Sequence, residues 1–166
     1  MDGQMTICYI GLGGNISNAL GTPTEHIGNA ITAFVDSDDF DDVKVSSLYT
    51  SKAYGVTDQP DFVNAVLMAK TSLSPLALLD FCQSLETGAG RVRLRHWGER
   101  SLDVDVLLYG DAMIDNERLI VPHKELMLRN FVLIPLLELT PDLMVQGQAL
   151  AQLPAAQDWQ GLELAK

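Results

Sequence analysis

Lysine is scarce in this 166-residue chain, with five in all, and cysteine scarcer still, with two. Cys8 and Cys82 form no CxxC pair and cannot staple a disulfide framework. They read as small buried hydrophobes in a reducing, cytoplasmic setting. No apolar run approaches the roughly 20 residues of a membrane span, and the N-terminus lacks a basic n-region. No GxxxxGKS/T occurs, which excludes a P-loop. Gly11-Leu12-Gly13 lacks the third glycine of a dinucleotide fingerprint, with Ile16 in its place. No Ser/His/Asp or Cys/His arrangement suggests a covalent nucleophile. The acidic run Asp36–Asp42 has neither the glycine nor the terminal glutamate of an EF-hand, and reads as a solvated loop. A net charge of −11 repels nucleic-acid phosphates and argues against DNA or RNA as partners.

What remains is a globular composition, 47% hydrophobic, long enough for one domain over 1–166 with a real core. No repeat, low-complexity segment or linker divides it. Thr6–Ile10 reads as a strand. A helix starts at Thr22-Pro23-Thr24-Glu25, where Thr22 can cap, Pro23 suits the first helical position and Glu25 completes a capping box. Ile27, Ala30, Ile31 and Phe34 form its buried stripe. Val43–Thr50 reads as a strand, Thr57–Pro60 as a turn and Phe62–Thr71 as a strand. A second helix opens at Ser74-Pro75, buries Leu78, Phe81, Cys82 and Leu85, and stops at Gly88-Ala89-Gly90. Leu102–Tyr109 is a fourth major strand. The order β-α-β-β-α-β is the split βαβ arrangement of ferredoxin-like folds. The expected class is therefore α+β, a mainly antiparallel sheet with both helices on one face, plus C-terminal additions. Those additions are a short strand at Leu119–Val121 and a helix around Pro135–Leu139. Beyond Pro141 the pattern specifies no element.

All six arginines lie between Arg91 and Arg129, in a window with seven basic and seven acidic residues. The rest of the chain has four basic residues against fifteen acidic ones, so the whole net charge lies outside that window. Forked guanidinium groups gathered this way suit the phosphate oxygens of a small polyanion. Arg91, Arg93 and Arg95 also alternate with apolar residues as an exposed strand edge would, and His123 taken alone reads as a structural histidine. Asp103 and Asp105, two apart on a strand, project from one face with Cα atoms roughly 6–7 Å apart. Two adjacent carboxylates repel unless a cation lies between them. Mg²⁺ takes one or two carboxylates together with waters and phosphates. The ordinary alternative is a polar strand face turned to solvent. The arginines beside the pair favour a nucleotide–Mg²⁺ site.

Four blocks then stand out: Asp58-Gln59-Pro60-Asp61-Phe62-Val63-Asn64-Ala65, Gly90-Arg91-Val92-Arg93, Trp97-Gly98-Glu99-Arg100-Ser101-Leu102-Asp103-Val104-Asp105, and Val121-Pro122-His123. In order and spacing they resemble the 6-hydroxymethyl-7,8-dihydropterin pyrophosphokinase family of folate biosynthesis, from about Ile7 to Pro141. The resemblance implies a ferredoxin-like core and transfer of the β,γ-diphosphate of ATP to the hydroxymethyl group of a reduced pterin, releasing AMP. It implies two Mg²⁺ ions on Asp103 and Asp105. It implies ATP contacts from Gln83, Glu86, Arg93, Val106, Arg118, Ile120, His123, Lys124 and Arg129. Arg91, Trp97 and Arg100 would belong to a mobile catalytic loop, with Trp97 beside the nucleotide. The pterin would be sandwiched by Tyr54 or its loop, Phe62 and Phe131, with Asn64 on its polar edge and Ser51 nearby. The chain departs from the family pattern at Gly14, Lys52, Ala53, Phe62, His96, Glu99 and Lys124. The implied partners are small molecules, with no membrane, nucleic acid or obligate protein. The alternative is a non-enzymatic ferredoxin-like regulatory module that binds a metabolite. Such a module needs no paired carboxylates and would yield no AMP. An RNA-binding module on the same fold would need a basic face with exposed aromatics, which this chain lacks.

Overall fold

The computed structural model describes residues 4–52, 60–90 and 101–165. Strand β1, Thr6–Gly14, runs through the middle of the main sheet. It continues past Ile10 because it is paired along both edges, by β4 (Phe62–Thr71) on one side and β5 (Asp103–Tyr109) on the other. Two short strands, β2 (Phe40–Val45) and β3 (Tyr49–Ser51), share the far edge of β4. Every pairing is antiparallel. With β2 and β3 counted as one interrupted strand, the spatial order is fourth, first, third, second, that of the ferredoxin-like core expected.

The strand expected over Val43–Thr50 is thus two strands, and Ser46 is where it breaks. The Ser46 amide donates to the Val66 carbonyl, and the Ser46 hydroxyl accepts from the Val66 amide, each at 2.9 Å. A side chain takes the place of a ladder carbonyl there, so regular pairing stops. The acidic loop expected over Asp36–Asp42 is also shorter than expected. Phe40–Asp42 already belongs to β2, with Phe40 buried and the two aspartates facing out.

Helix α1, Pro23–Asp36, carries the anticipated capping box: the Glu25 amide donates to Thr22 Oγ1 at 3.2 Å and Glu25 Oε1 accepts the Thr22 amide at 2.9 Å. Helix α2, Pro75–Gly88, is capped by Ser74. Both pack on one sheet face. Ile27, Ala30, Phe34, Leu78 and Cys82 meet Cys8, Ile10, Leu12, Val104 and Val106 there. The Phe34 ring meets Phe40 and Phe81 edge-on, with centroids 4.8 and 4.9 Å away.

The opposite face is half covered. Hairpin β6 (Ile114–Asp115) and β7 (Ile120–Val121) leads into α3, Asn130–Leu139, which starts five residues before the expected Pro135. Leu133 and Leu136 of α3 pack on Tyr9, Val66, Leu107 and Leu108. A one-residue bulge permits this. Tyr9 pairs with Leu108 but Ile10 pairs with Val106, so Leu107 is extra and both leucines face α3. After Pro141 the chain forms structure that the pattern did not specify. Strands β8 (Met144–Val145) and β9 (Gln148–Ala149) make a hairpin, turning through Gln146 and Gly147 at φ 53° and 78°. Strand β10, Leu162–Leu164, then joins the main sheet beside β3. Among the described residues no helix is long and apolar enough to cross a membrane.

Candidate active site

The uncovered half of the sheet is where the expected site residues converge. On that face β1 presents Gly11 and Gly13. Gly13 pairs with Asn64 on one side and Asp103 on the other, and Gly11 pairs with Val66 and Asp105. Each row therefore runs from β4 over a bare glycine to a carboxylate. A Cβ on Gly13 would come within 3.2 Å of Asn64 Oδ1, and one on Gly11 within 3.4 Å of the Leu107 side chain. Without those carbons the floor is plain backbone, and a cavity of about 450 Å³ opens above it.

Eight expected residues line this one cavity: Ser51, Phe62, Asn64 and Phe131 from the pterin set, and Asp103, Asp105, His123 and Arg129 from the phosphate and metal set. Asn64 and Ser51 are both buried, and Asn64 Nδ2 donates to Ser51 Oγ at 2.7 Å. That bond orients the amide on the cavity wall. Phe131 stands in the first turn of α3, and the Arg129 guanidinium sits 5.4 Å from its ring centroid. Arg129 also pairs with Glu125. Asp103 is half-buried and Asp105 exposed, while Val104 between them points into the core.

His123 follows the cis Val121–Pro122 peptide, and its amide donates to the Leu107 carbonyl at 3.0 Å. Its Nδ1 accepts the Glu125 amide at 3.3 Å, which requires that nitrogen to be unprotonated. Burial, then the Arg129 and Lys124 charges, hold the imidazole below its ordinary value. The ring therefore stays neutral and offers Nε2–H.

The remaining expected nucleotide contacts lie off the cavity wall. Glu86 on α2 is buried and its Oε2 accepts the Val104 amide at 2.8 Å, bracing the strand between the two aspartates. Val106 is buried on the helix side of the sheet. Arg118 Nη2 donates to Asp80 Oδ1 at 2.5 Å and to Gln83 Oε1 at 3.2 Å on the exposed side of α2. Ile120 is exposed on β7, and Lys124 adjoins His123. Tyr54, Arg91, Arg93, Trp97 and Arg100 lie outside the described residues.

Residues 9–141 match the family described as 7,8-dihydro-6-hydroxymethylpterin-pyrophosphokinase, HPPK. The chain belongs to this family. A relative from Haemophilus influenzae, named 2-amino-4-hydroxy-6-hydroxymethyldihydropteridine pyrophosphokinase, is 49% identical over 141 residues, 85% of this chain and 86% of the relative. A relative of the same name from Pseudomonas aeruginosa is 44% identical over 156 residues, 93% of this chain and 94% of its own length. A third, from Methylorubrum extorquens, is 39% identical over 159 residues, 96% and 98% of the two chains.

For an HPPK-family chain the carboxylate pair must be weighed as a metal site. Among the described residues no group of three or more His, Cys, Asp or Glu side chains is placed to hold a metal ion. Two carboxylates at the edge of a glycine-floored cavity are a different design. They suit a hard cation that keeps waters and takes its other ligands from phosphate, as Mg²⁺ does. The donor set and the space opposite it fit the ion.

Gly11 and Gly13 were not anticipated as part of the site. They share the two-residue period of Asp103 and Asp105, which was the available signal. Measured only against a dinucleotide fingerprint, they look incomplete. Glu125, Leu128 and Val132 also line the cavity, and no local motif marks them.

Proposed function

We propose that this chain transfers diphosphate from ATP to the hydroxymethyl group of 6-hydroxymethyl-7,8-dihydropterin and releases AMP, within folate biosynthesis. The observation that carries this reading is the single cavity in which ring-sized apolar walls and a carboxylate pair stand side by side. Phe62 and Phe131 offer flat apolar surface for a pterin, and the Asn64 amide, set by Ser51, offers donor and acceptor to its rim. Arg129 and the neutral His123 supply donors for phosphate oxygens.

Asn64 and Asp103 flank Gly13 from opposite sides. They are therefore two strand spacings apart, roughly 10 Å. A ring held at Asn64 would point its substituent along that row toward the aspartates. The pterin hydroxyl oxygen attacks the β-phosphorus as its proton passes to solvent, the bond from that phosphorus to the α,β-bridging oxygen breaks, and AMP leaves. Asp103 and Asp105 would hold Mg²⁺, two ions in this reading, which supplies charge neutralisation to the triphosphate. Arg91, Arg93, Trp97 and Arg100 are proposed to approach the triphosphate, and Tyr54 the ring. Gln83, Glu86, Val106, Arg118, Ile120 and Lys124 are proposed to surround the nucleotide beyond the cavity wall. The two buried free thiols, Cys8 and Cys82, fit a reducing compartment such as the cytoplasm.

The test is the nucleotide product. ATP, Mg²⁺ and 6-hydroxymethyl-7,8-dihydropterin incubated with the protein should yield AMP and a pterin diphosphate. ADP would indicate transfer of a single phosphoryl group, and binding without turnover would indicate a ligand-sensing module.

A further inference from the structure

We propose that Asn130 is a positioning residue for the ring-binding half of the cavity, acting through the segment 158–164. The inference rests on the pterin reading above. Asn130 is a buried polar residue at the start of α3, and its Nδ2 donates to two carbonyls, Asp158 at 2.8 Å and Gln160 at 3.0 Å. Both acceptors belong to a turn that Asp158 itself closes, its Oδ1 accepting the Gln160 amide at 2.9 Å. The chain then passes Gly161, at φ 75°, whose carbonyl accepts the Lys52 amide at 3.1 Å. Leu162 pairs directly with Ser51.

The strap therefore has one end on the residue before Phe131 and the other on Ser51. Phe131 and Ser51 are the cavity residues of α3 and β3 that belong to the ring-binding set. Leu162 fills the space between them, in a buried cluster with Tyr49 and Ile134 against which Phe131 packs. Trp159 leans on Tyr49 with ring centroids 5.9 Å apart. Ser51 in turn orients Asn64. One side-chain amide thus sets the gap between the stacking ring and the polar edge it must serve. None of these contacts reaches Asp103 or Asp105, and of the nucleotide-side cavity residues Arg129 adjoins the anchor, so the main effect falls on the pterin and a smaller one on the nucleotide.

The test compares wild type with Asn130→Asp, which keeps the shape but removes both donors, and with the milder Asp158→Ala on the exposed turn. Affinities for 6-hydroxymethyl-7,8-dihydropterin and for a non-hydrolysable ATP analogue are titrated separately, and hydrogen exchange at Lys52 and Leu162 is followed without ligand. Asn130→Asp should weaken pterin binding about 10-fold, with nucleotide affinity held within about 2-fold. KM for the pterin should rise while kcat at saturation changes little. Exchange at Lys52 and Leu162 should quicken, and Asp158→Ala should show the same pattern more weakly. Equal losses for both ligands, or faster exchange with pterin affinity intact, would overturn the proposal and leave Asn130 a scaffold residue only. Wild-type protein that bound no pterin would overturn the functional reading and this proposal with it, a failure the unsubstituted control identifies.

Discussion

Gly13 and Asn64 face each other across the ladder between β1 and β4, and the Asn64 carbonyl oxygen lies over the place where a Gly13 side chain would begin. A methyl group there would sit 3.2 Å from Asn64 Oδ1, closer than ordinary packing. Asn64 is also held at 2.7 Å by Ser51, so it cannot turn aside without breaking that bond. Gly13→Ala should therefore weaken pterin binding by about 1–3 kcal/mol, since the ring edge loses a correctly aimed partner. Fold stability should shift by less than about 1 kcal/mol, because alanine in a strand restricts the unfolded chain more than glycine does. Calorimetric titration with the pterin, beside urea unfolding, separates the two. Unchanged pterin affinity would mean that the Asn64 amide is not a ring contact.

Removing one carboxylate of the pair should silence the reaction without loosening the protein. Asp103→Asn and Asp105→Asn each keep the side-chain shape on a cavity edge outside the core. Turnover should fall at least about 100-fold, the scale seen when one preorganised electrostatic partner is lost. Both variants should stay folded, because these side chains lie outside the core. A Mg²⁺ titration of activity checks this, and near wild-type turnover at saturating Mg²⁺ would refute the metal assignment.

His123 gives the fold a pH dependence of known sign. Its folded value lies below the ordinary 6.5, chiefly through burial, then through Arg129 and Lys124. The unfolded chain therefore takes up the proton first as pH falls. The stability carried by the neutral ring is complete above about pH 6.5 and drains away as pH drops through the lowered folded value. His123→Gln should flatten that part of the stability profile. Urea midpoints measured from about pH 7.5 down to 5 decide the matter, and parallel profiles for the two proteins would contradict it.

Glu86 separates a structural role from a ligand role. Its carboxylate accepts the Val104 amide, so Glu86→Ala should cost about 1–3 kcal/mol of folding stability by stranding a buried donor. Glu86→Gln retains a carbonyl acceptor and should recover most of that. Equilibrium unfolding of both variants, beside nucleotide titration, gives the answer. A loss of nucleotide affinity with full stability would make Glu86 a ligand contact instead.

Much of this architecture could be read from local pattern. The Thr22–Glu25 box, the Ser74-Pro75 start and the strand Phe62–Thr71 each depend on residues within one turn or one strand. The common face of Asp103 and Asp105 followed from the two-residue period alone. What stayed hidden depended on distant partners. Ser46 breaks its strand through a bond to Val66, twenty residues on. Helix α3 begins at Asn130 with no side-chain cap to announce it. Strand β10 has only three residues and exists because β3 offers it an edge. In the site, the residues carrying charge or a ring were legible, and the glycines beneath them were not, because an open floor shows only once its neighbours are in place.

The extra residue at Leu107 bears on how a gene for this fold can change length. A single-codon deletion at Val104 would set Asp103 and Asp105 on adjacent positions that face opposite ways, since side chains alternate along a strand. Loss of one of the adjacent Leu107 and Leu108 is different: either deletion leaves the same chain, and the ladder beyond Ile10–Val106 becomes regular. Both aspartates keep their face. The bulge that presents the Leu107 carbonyl to the His123 amide goes with it. At that pair of codons a deletion spares the carboxylate face and bears instead on the His123 anchor and on the leucines that α3 covers.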